Sequence, residues 1–182
     1  MSGSMDKTKT ICILGKRGMG KTTLSKSLIL QHEEKGALVF IFDFVGEYSG
    51  DVFSDRRDIK IDSRRPFLYR GSDDRYFTDT VWQAGKIGKP VLCVLDEVDI
   101  FGKNSFPIAY LYRYGRHRNI SIIAVARRFY DMPMYIRDLS AELKVFRLTG
   151  MRDLDALAKA KNKPTDDIIR TLPPHHFVSI NL

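Results

Sequence analysis

The sequence has two cysteines in 182 residues, which is too few for a disulfide framework. Cys12 and Cys93 each sit inside an apolar run, and they read as free buried thiols of a reducing cytosol. Long hydrophobic runs are also missing. None approaches the roughly 18 consecutive apolar residues of a spanning helix, and no charged-then-apolar leader with a cleavage site opens the chain, so no direct membrane insertion is expected. Internal repeats, heptads and low-complexity tracts are absent as well. His117, His175 and His176 lack a metal-ligand partner set and read as surface histidines. The length suits one domain. "MSGS", residues 1–4, followed by a second methionine reads as an expression scar, leaving 5–182 as a single domain.

Basic charge is in excess. A formal net charge of +8 suits a polyanionic partner such as nucleic acid, because clustered cations release counterions from phosphates; it equally suits a merely basic soluble protein. No base-reading motif, zinc finger or aromatic stacking platform is visible, so any DNA contact would be independent of sequence. Arg56, Arg57, Arg64, Arg65 and Lys103 are candidate phosphate contacts, or solvated loop charges.

Four apolar runs, "ICIL" at Ile11, "ALVFIF" at Ala37, "VLCVL" at Val91 and "ISIIAVA" at Ile120, are continuous rather than alternating, as strands covered on both faces are. Helical patterns fall between them at Lys21 to Lys35, Asp74 to Lys86 and Pro107 to Arg116, then at Met134 to Ala141 and Asp153 to Ala160. "KVFRLT" at Lys144 and "HHFVSINL" at the C-terminus read as further strands, the last antiparallel at an edge. "DIKI" at Asp58 and "FLY" at Phe67 are additional short strand candidates. The alternation predicts an α/β fold with a mainly parallel central sheet between helices.

Directly after the first strand comes "GKRGMGKT", Gly15 to Thr22, matching G-x-x-x-x-G-K-[ST] in the strand, loop, helix context that the motif requires. The glycines let successive backbone N–H groups face phosphate oxygens, and the helix N-terminus adds positive potential. Gly15, Lys16, Arg17, Gly18, Met19, Gly20, Lys21, Thr22 and Thr23 are therefore the expected ATP-binding residues. Lys21 reaches the β- and γ-phosphates, and Thr22 coordinates Mg²⁺. "VLCVLDEVD" supplies a second motif: Asp96 at a strand tip to hold Mg²⁺ through water, and Glu97 to activate the attacking water. Together they predict a three-layer P-loop NTPase of the RecA/ASCE-like kind that hydrolyses ATP. A GTPase is disfavoured because "NKPT" at Asn162 has Thr165 where the guanine-reading aspartate belongs. A small kinase with Arg127 and Arg128 on a lid stays open.

These motifs, with "FDFVGEYS" at Phe42, "GRHRNISIIAVARRF", and "FRLTGMRDLDALAKA" followed by "LPPHHFVSI", resemble the FtsK–HerA superfamily of DNA-pumping ATPases, especially its small viral genome-packaging members. The resemblance implies a homo-oligomeric ring, hexamer or pentamer, moving double-stranded DNA in the cytoplasm of an infected cell, in association with the virion and with a capsid or membrane protein as partner. It also implies an arginine finger donated to the neighbouring subunit's ATP. Family members end the fourth core strand with a phosphate-sensing glutamine; this sequence has Arg127 there. An alternative from another class is a morphogenesis protein that uses ATP as a switch.

The strand at Ile120 separates two arginine pairs. Arg127, with Arg128, follows it at the end where ligands bind. Arg116 and Arg118 precede it, roughly 20 Å away at 3.3 Å per residue, and reach an ATP only across a subunit boundary. Arg116 is the first candidate for the finger, being nearest the helix end, followed by Arg118, with Arg113 one turn back as a third; Arg116 and Arg118 also suit the C-terminal end of the preceding helix with no further role. Asp43 is an additional candidate for Mg²⁺-bound water, and Glu47 and Tyr48 match the family's "GEY" pattern without an assigned role.

Overall fold

A computed structural model describes residues 8–101, 105–161 and 167–182. Lys103, the "NKPT" run and residues 1–4 lie outside the described residues. An eight-stranded sheet runs in the order β3-β4-β2-β5-β6-β1-β7-β8. Its strands are β1 (Thr10–Leu14), β2 (Leu38–Phe42), β3 (Asp51–Val52), β4 (Phe67–Tyr69), β5 (Val91–Leu95), β6 (Ile120–Ala126), β7 (Glu142–Phe146) and β8 (Phe177–Asn181). Every pairing is parallel except that of β7 with β8, so the antiparallel C-terminal edge strand is as expected.

The continuous apolar runs are buried on both faces, as such runs require. One face carries Leu14, Phe40, Phe42, Leu95 and Ala124 against α2 (Asp74–Ala84), α3 (Phe106–Tyr114), α4 (Met134–Leu139) and α5 (Met151–Lys161). The other carries Ile13, Ile41, Val94 and Val125 and is packed by Leu24, Leu28 and Ile29 of α1 (Lys21–Glu34). A short α6 (Asp167–Thr171) precedes β8. Cys12 and Cys93 are buried free thiols, and burial pushes both well above the usual thiol range.

Local chemistry moved some boundaries. "DIKI" is not a strand: Asp55 caps a 3₁₀ turn at Arg56–Asp58, and the Asp58 and Ile59 amides donate to the Asp55 and Arg56 carbonyls, which removes donors a strand would pair. The helix expected through Arg116 stops at Tyr114 and tightens into a 3₁₀ turn, Gly115–Arg118. α4 ends early because the Ala141 amide donates to Thr10, tying the chain to β1. α5 starts two residues early; the Asp153 and Leu154 amides both donate to the Gly150 carbonyl. The two-residue β3 and the five-residue α6 carried too little periodicity to be foreseen.

Candidate nucleotide site

The parallel register brings the C-terminal tips of β1, β2, β5 and β6 to one edge. Leu14 pairs with Ala126, Ala124 with Leu95, and Leu95 with Phe42. The residue following each strand, respectively Gly15, Asp43, Asp96 and Arg127, therefore emerges at the same side. The Gly15 amide donates to the Ala126 carbonyl at 3.3 Å, and the Asp96 amide to Phe42 at 3.2 Å.

Gly18 and Gly20 have φ of 77° and 101°, left-handed values that side chains other than glycine's resist. The turn delivers the chain into α1, whose first-turn amides have no side-chain cap and no acidic neighbour; such amides are free to bind an anion. Lys21 Nζ donates to the Lys16 carbonyl at 3.1 Å, arching over the loop. Burial, and next the Arg127 charge, lower its pKa. Met19 packs into the α1-side core. A cavity of about 490 Å³ spans the loop, Thr22 and Thr23, and the acids Asp96 and Glu97. Beside it, Lys16 and Arg17 share a basic cavity of about 630 Å³ with Arg127, Arg128 and Arg152.

Asp96 is 3% exposed, and burial, then the charges of Glu47 and Glu97, push its carboxyl up to about 7. Glu97 adopts φ 49°, ψ 53° at the start of a 3₁₀ turn, a conformation that costs a non-glycine residue on the order of 1 kcal/mol and often marks functional positions. Its carboxylate is held by Arg127 through Nε at 3.1 Å and through a second, closer guanidinium nitrogen. Arg127 thus faces its own subunit's site, with the glutamate as its partner.

Two residues in this cavity went unassigned by sequence reasoning. Glu47 Oε2 accepts from the Thr22 hydroxyl at 2.7 Å. Its loop is fixed from beneath: Asp43 Oδ1 accepts from the Gly46 and Glu47 amides, Arg70 pairs with Asp43 Oδ2 at 3.2 Å, and Tyr48 donates to Ser25 on α1. Asp43, wholly buried, is thereby committed to the loop rather than to Mg²⁺-bound water. The "GEY" spacing was the available signal for Glu47. The second residue is His175. It is exposed, as expected of a surface histidine, yet lines the cavity; nothing in "LPPHH" alone indicates that.

Arg116 and Arg118 are not brought to this site. They lie beyond the opposite end of β6 in the 3₁₀ turn. Arg116 is exposed, whereas Arg118 stacks its guanidinium 5.1 Å from the Trp82 ring centroid. Three DNA-contact candidates have local partners: Arg57 pairs with Asp55 at 2.8 Å, Arg65 with Asp51 at 2.9 Å, and Arg56 donates to Thr80. Arg64 is exposed.

A parallel sheet in which β6 separates the phosphate-loop strand from the strand bearing Asp96 and Glu97, with the loop, the acids and a cation at one edge, defines a P-loop ATPase of the RecA-like class. Within that class, the chain belongs to the family described as poxvirus A32 protein, whose model matches residues 4–172. No curated protein sequence matches it. Solved structures do. The genome packaging NTPase B204 of Sulfolobus turreted icosahedral virus 2, in complex with AMPPCP, aligns at TM-score 0.80 and 21% identity, over 97% of this chain and 93% of that one. B204 of Sulfolobus turreted icosahedral virus, described as a DNA-packaging ATPase, aligns at 0.75 and 18%, over 95% and 92%. VirB4 of Thermoanaerobacter pseudethanolicus aligns at 0.65 and 13%, over 100% and 91%. At these identities the likeness establishes the shared fold. Among the described residues no helix is long and apolar enough to cross a membrane.

Proposed function

We propose that this chain is the ATP-hydrolysing subunit of a viral genome-packaging motor that moves double-stranded DNA without reading its sequence. The observation that carries the reading is the convergence of an uncapped phosphate loop, Asp96, Glu97 and Arg127 at one sheet edge. The family membership and the packaging ATPases that share the fold support it.

The donor set suits Mg²⁺. Three carboxylates, Glu47, Asp96 and Glu97, crowd one cavity; burial, and next the charges of the other two, raise the Asp96 carboxyl, and a hydrated divalent cation relieves that repulsion. Thr22 and Asp96 would hold it, with Glu47 orienting the Thr22 hydroxyl. Bound there, the cation neutralises charge on the β- and γ-phosphates. The loop amides and Lys21 cradle the phosphates. Glu97 takes the proton of the attacking water as its oxygen bonds to the γ-phosphorus, and the bond to the β-phosphate oxygen breaks.

Arg127 sets when this occurs. Paired with Arg127, Glu97 is a masked base. Once a γ-phosphate offers a stronger partner, the guanidinium exchanges the carboxylate for it, freeing Glu97 and donating to the phosphate. Arg116, exposed at the far end of β6, completes the site of a neighbouring subunit in a ring. A viral capsid or membrane protein is the partner of the assembled ring, in the cytoplasm of the host cell.

The test is phosphate release with and without double-stranded DNA for wild type, Lys21→Ala and Glu97→Gln. DNA-stimulated turnover that both substitutions abolish is expected. Turnover that ignores DNA and survives Glu97→Gln would contradict the proposal.

A further inference from the structure

The C-terminal segment passes over the phosphate loop, which no role assigned so far requires. The His175 amide donates to the Met19 carbonyl at 3.1 Å. The imidazole lies against Gly20 so closely that a Cβ there would stand 2.7 Å from His175 Nδ1. Pro173 and Pro174 stiffen the approach, and the His176 amide donates back to the Pro173 carbonyl to close a turn. Beyond the turn, β8 clamps the segment to β7, with Phe177 opposite Phe146. His175 itself sits at φ 64°, a strained value for a residue with a side chain. The backbone is thus forced into an unfavourable conformation that leaves an exposed ring at the mouth of the nucleotide cavity.

Sheet order says which part of a nucleotide meets that ring. Asp96, Glu97 and Arg127 extend from β5 and β6, on one side of the phosphate-loop strand β1; β7 and β8 lie on its other side. A triphosphate with its γ-phosphate toward the acids directs its nucleoside away from them, toward β7 and β8. We propose that His175 forms the nucleoside wall of the ATP site: its flat ring packs against the ribose and base and fixes the nucleotide's orientation on the loop. The proposal rests on the reading of the cavity as a nucleotide site and adds the element that makes the site prefer a nucleoside triphosphate over a bare polyphosphate. Aromatic packing of this kind is worth about a tenfold change in affinity.

The experiment compares ATP with inorganic tripolyphosphate, both with Mg²⁺, by calorimetric titration of wild type, His175→Gly and His175→Phe. Glycine adopts φ 64° without strain, so the strap keeps its backbone while losing the ring; phenylalanine keeps a flat ring. His175→Gly should weaken ATP about tenfold and leave tripolyphosphate unchanged, and His175→Phe should stay near wild type for both. Equal weakening of the two ligands by His175→Gly would overturn the proposal, since a strap that merely shapes the loop affects phosphate binding as well. So would unchanged ATP affinity in His175→Gly, or equal wild-type affinities for the two ligands. Wild type that binds neither ligand overturns the nucleotide site itself and the proposal with it.

Discussion

The two ends of β6 carry the same residue type in opposite circumstances. At its C-terminal end Arg127 enters the nucleotide cavity and is paired with Glu97. At its N-terminal end Arg116 is exposed, and Arg118 is spent on the Trp82 face. The difference follows from the parallel sheet: strand tips of one polarity share an edge, and a strand of seven residues holds its ends apart. Arginines close in sequence are thereby held apart, one in the nucleotide cavity and one exposed at the far edge of the sheet, which is where the proposed ring would need a residue donated to a neighbour.

Substitutions should separate the ends. Arg116→Ala is expected to have the largest effect, lowering ring turnover on the order of 10³-fold with ATP affinity unchanged; steady-state phosphate release beside nucleotide titration measures both. Arg127→Ala should cost about 10²-fold in turnover, since it removes a single donor to the γ-phosphate, and unlike Arg116→Ala it should also weaken discrimination between ATP and ADP in binding. Arg118→Ala should leave turnover within about twofold and cost on the order of 1 kcal/mol of stability from the lost Trp82 contact, read from denaturant unfolding.

A pH-dependent effect concerns the acids beside Arg127. Burial and the neighbouring carboxylates raise the Asp96 carboxyl from 3.8 to about 7. Between those values the folded state binds more protons than the unfolded, so this group's contribution makes stability fall as pH rises. Asp96→Asn should therefore melt several degrees above wild type near pH 8 in chelator without nucleotide, with the gap closing toward pH 4. No gap at pH 8 would contradict the crowding of carboxylates at this edge.

The strands, the phosphate loop and the Asp96–Glu97 pair were legible in sequence because each depends on local patterning: an apolar run, a glycine spacing, an acid following a strand. The mainly parallel character of the sheet followed from those continuous apolar runs, whereas the strand order β3-β4-β2-β5-β6-β1-β7-β8 is a relation between distant segments that no local pattern encodes. Less legible were relations between distant segments. Arg127 and Glu97 are thirty residues apart, and their pairing depends on β5 and β6 being neighbours. Glu47 meets Thr22 because Asp43, Arg70 and Tyr48 brace an intervening loop. His175 reaches Met19 through the β7–β8 pairing. "DIKI" misled because the turn that Asp55 caps takes up the Asp58 and Ile59 amides locally, overriding a strand-like composition.

Subunit mixing tests the contrast between the ends of β6 most directly. Arg116→Ala rings mixed with Glu97→Gln rings should regain turnover, because some interfaces then combine an intact Glu97 with an intact Arg116 from the neighbour. Arg127→Ala mixed with Glu97→Gln should gain no turnover over the separate variants, because Arg127 and Glu97 serve one subunit's own site and every site lacks one of them. Rescue in the second mixture, or none at any ratio in the first while rings stay assembled, would contradict the assignment.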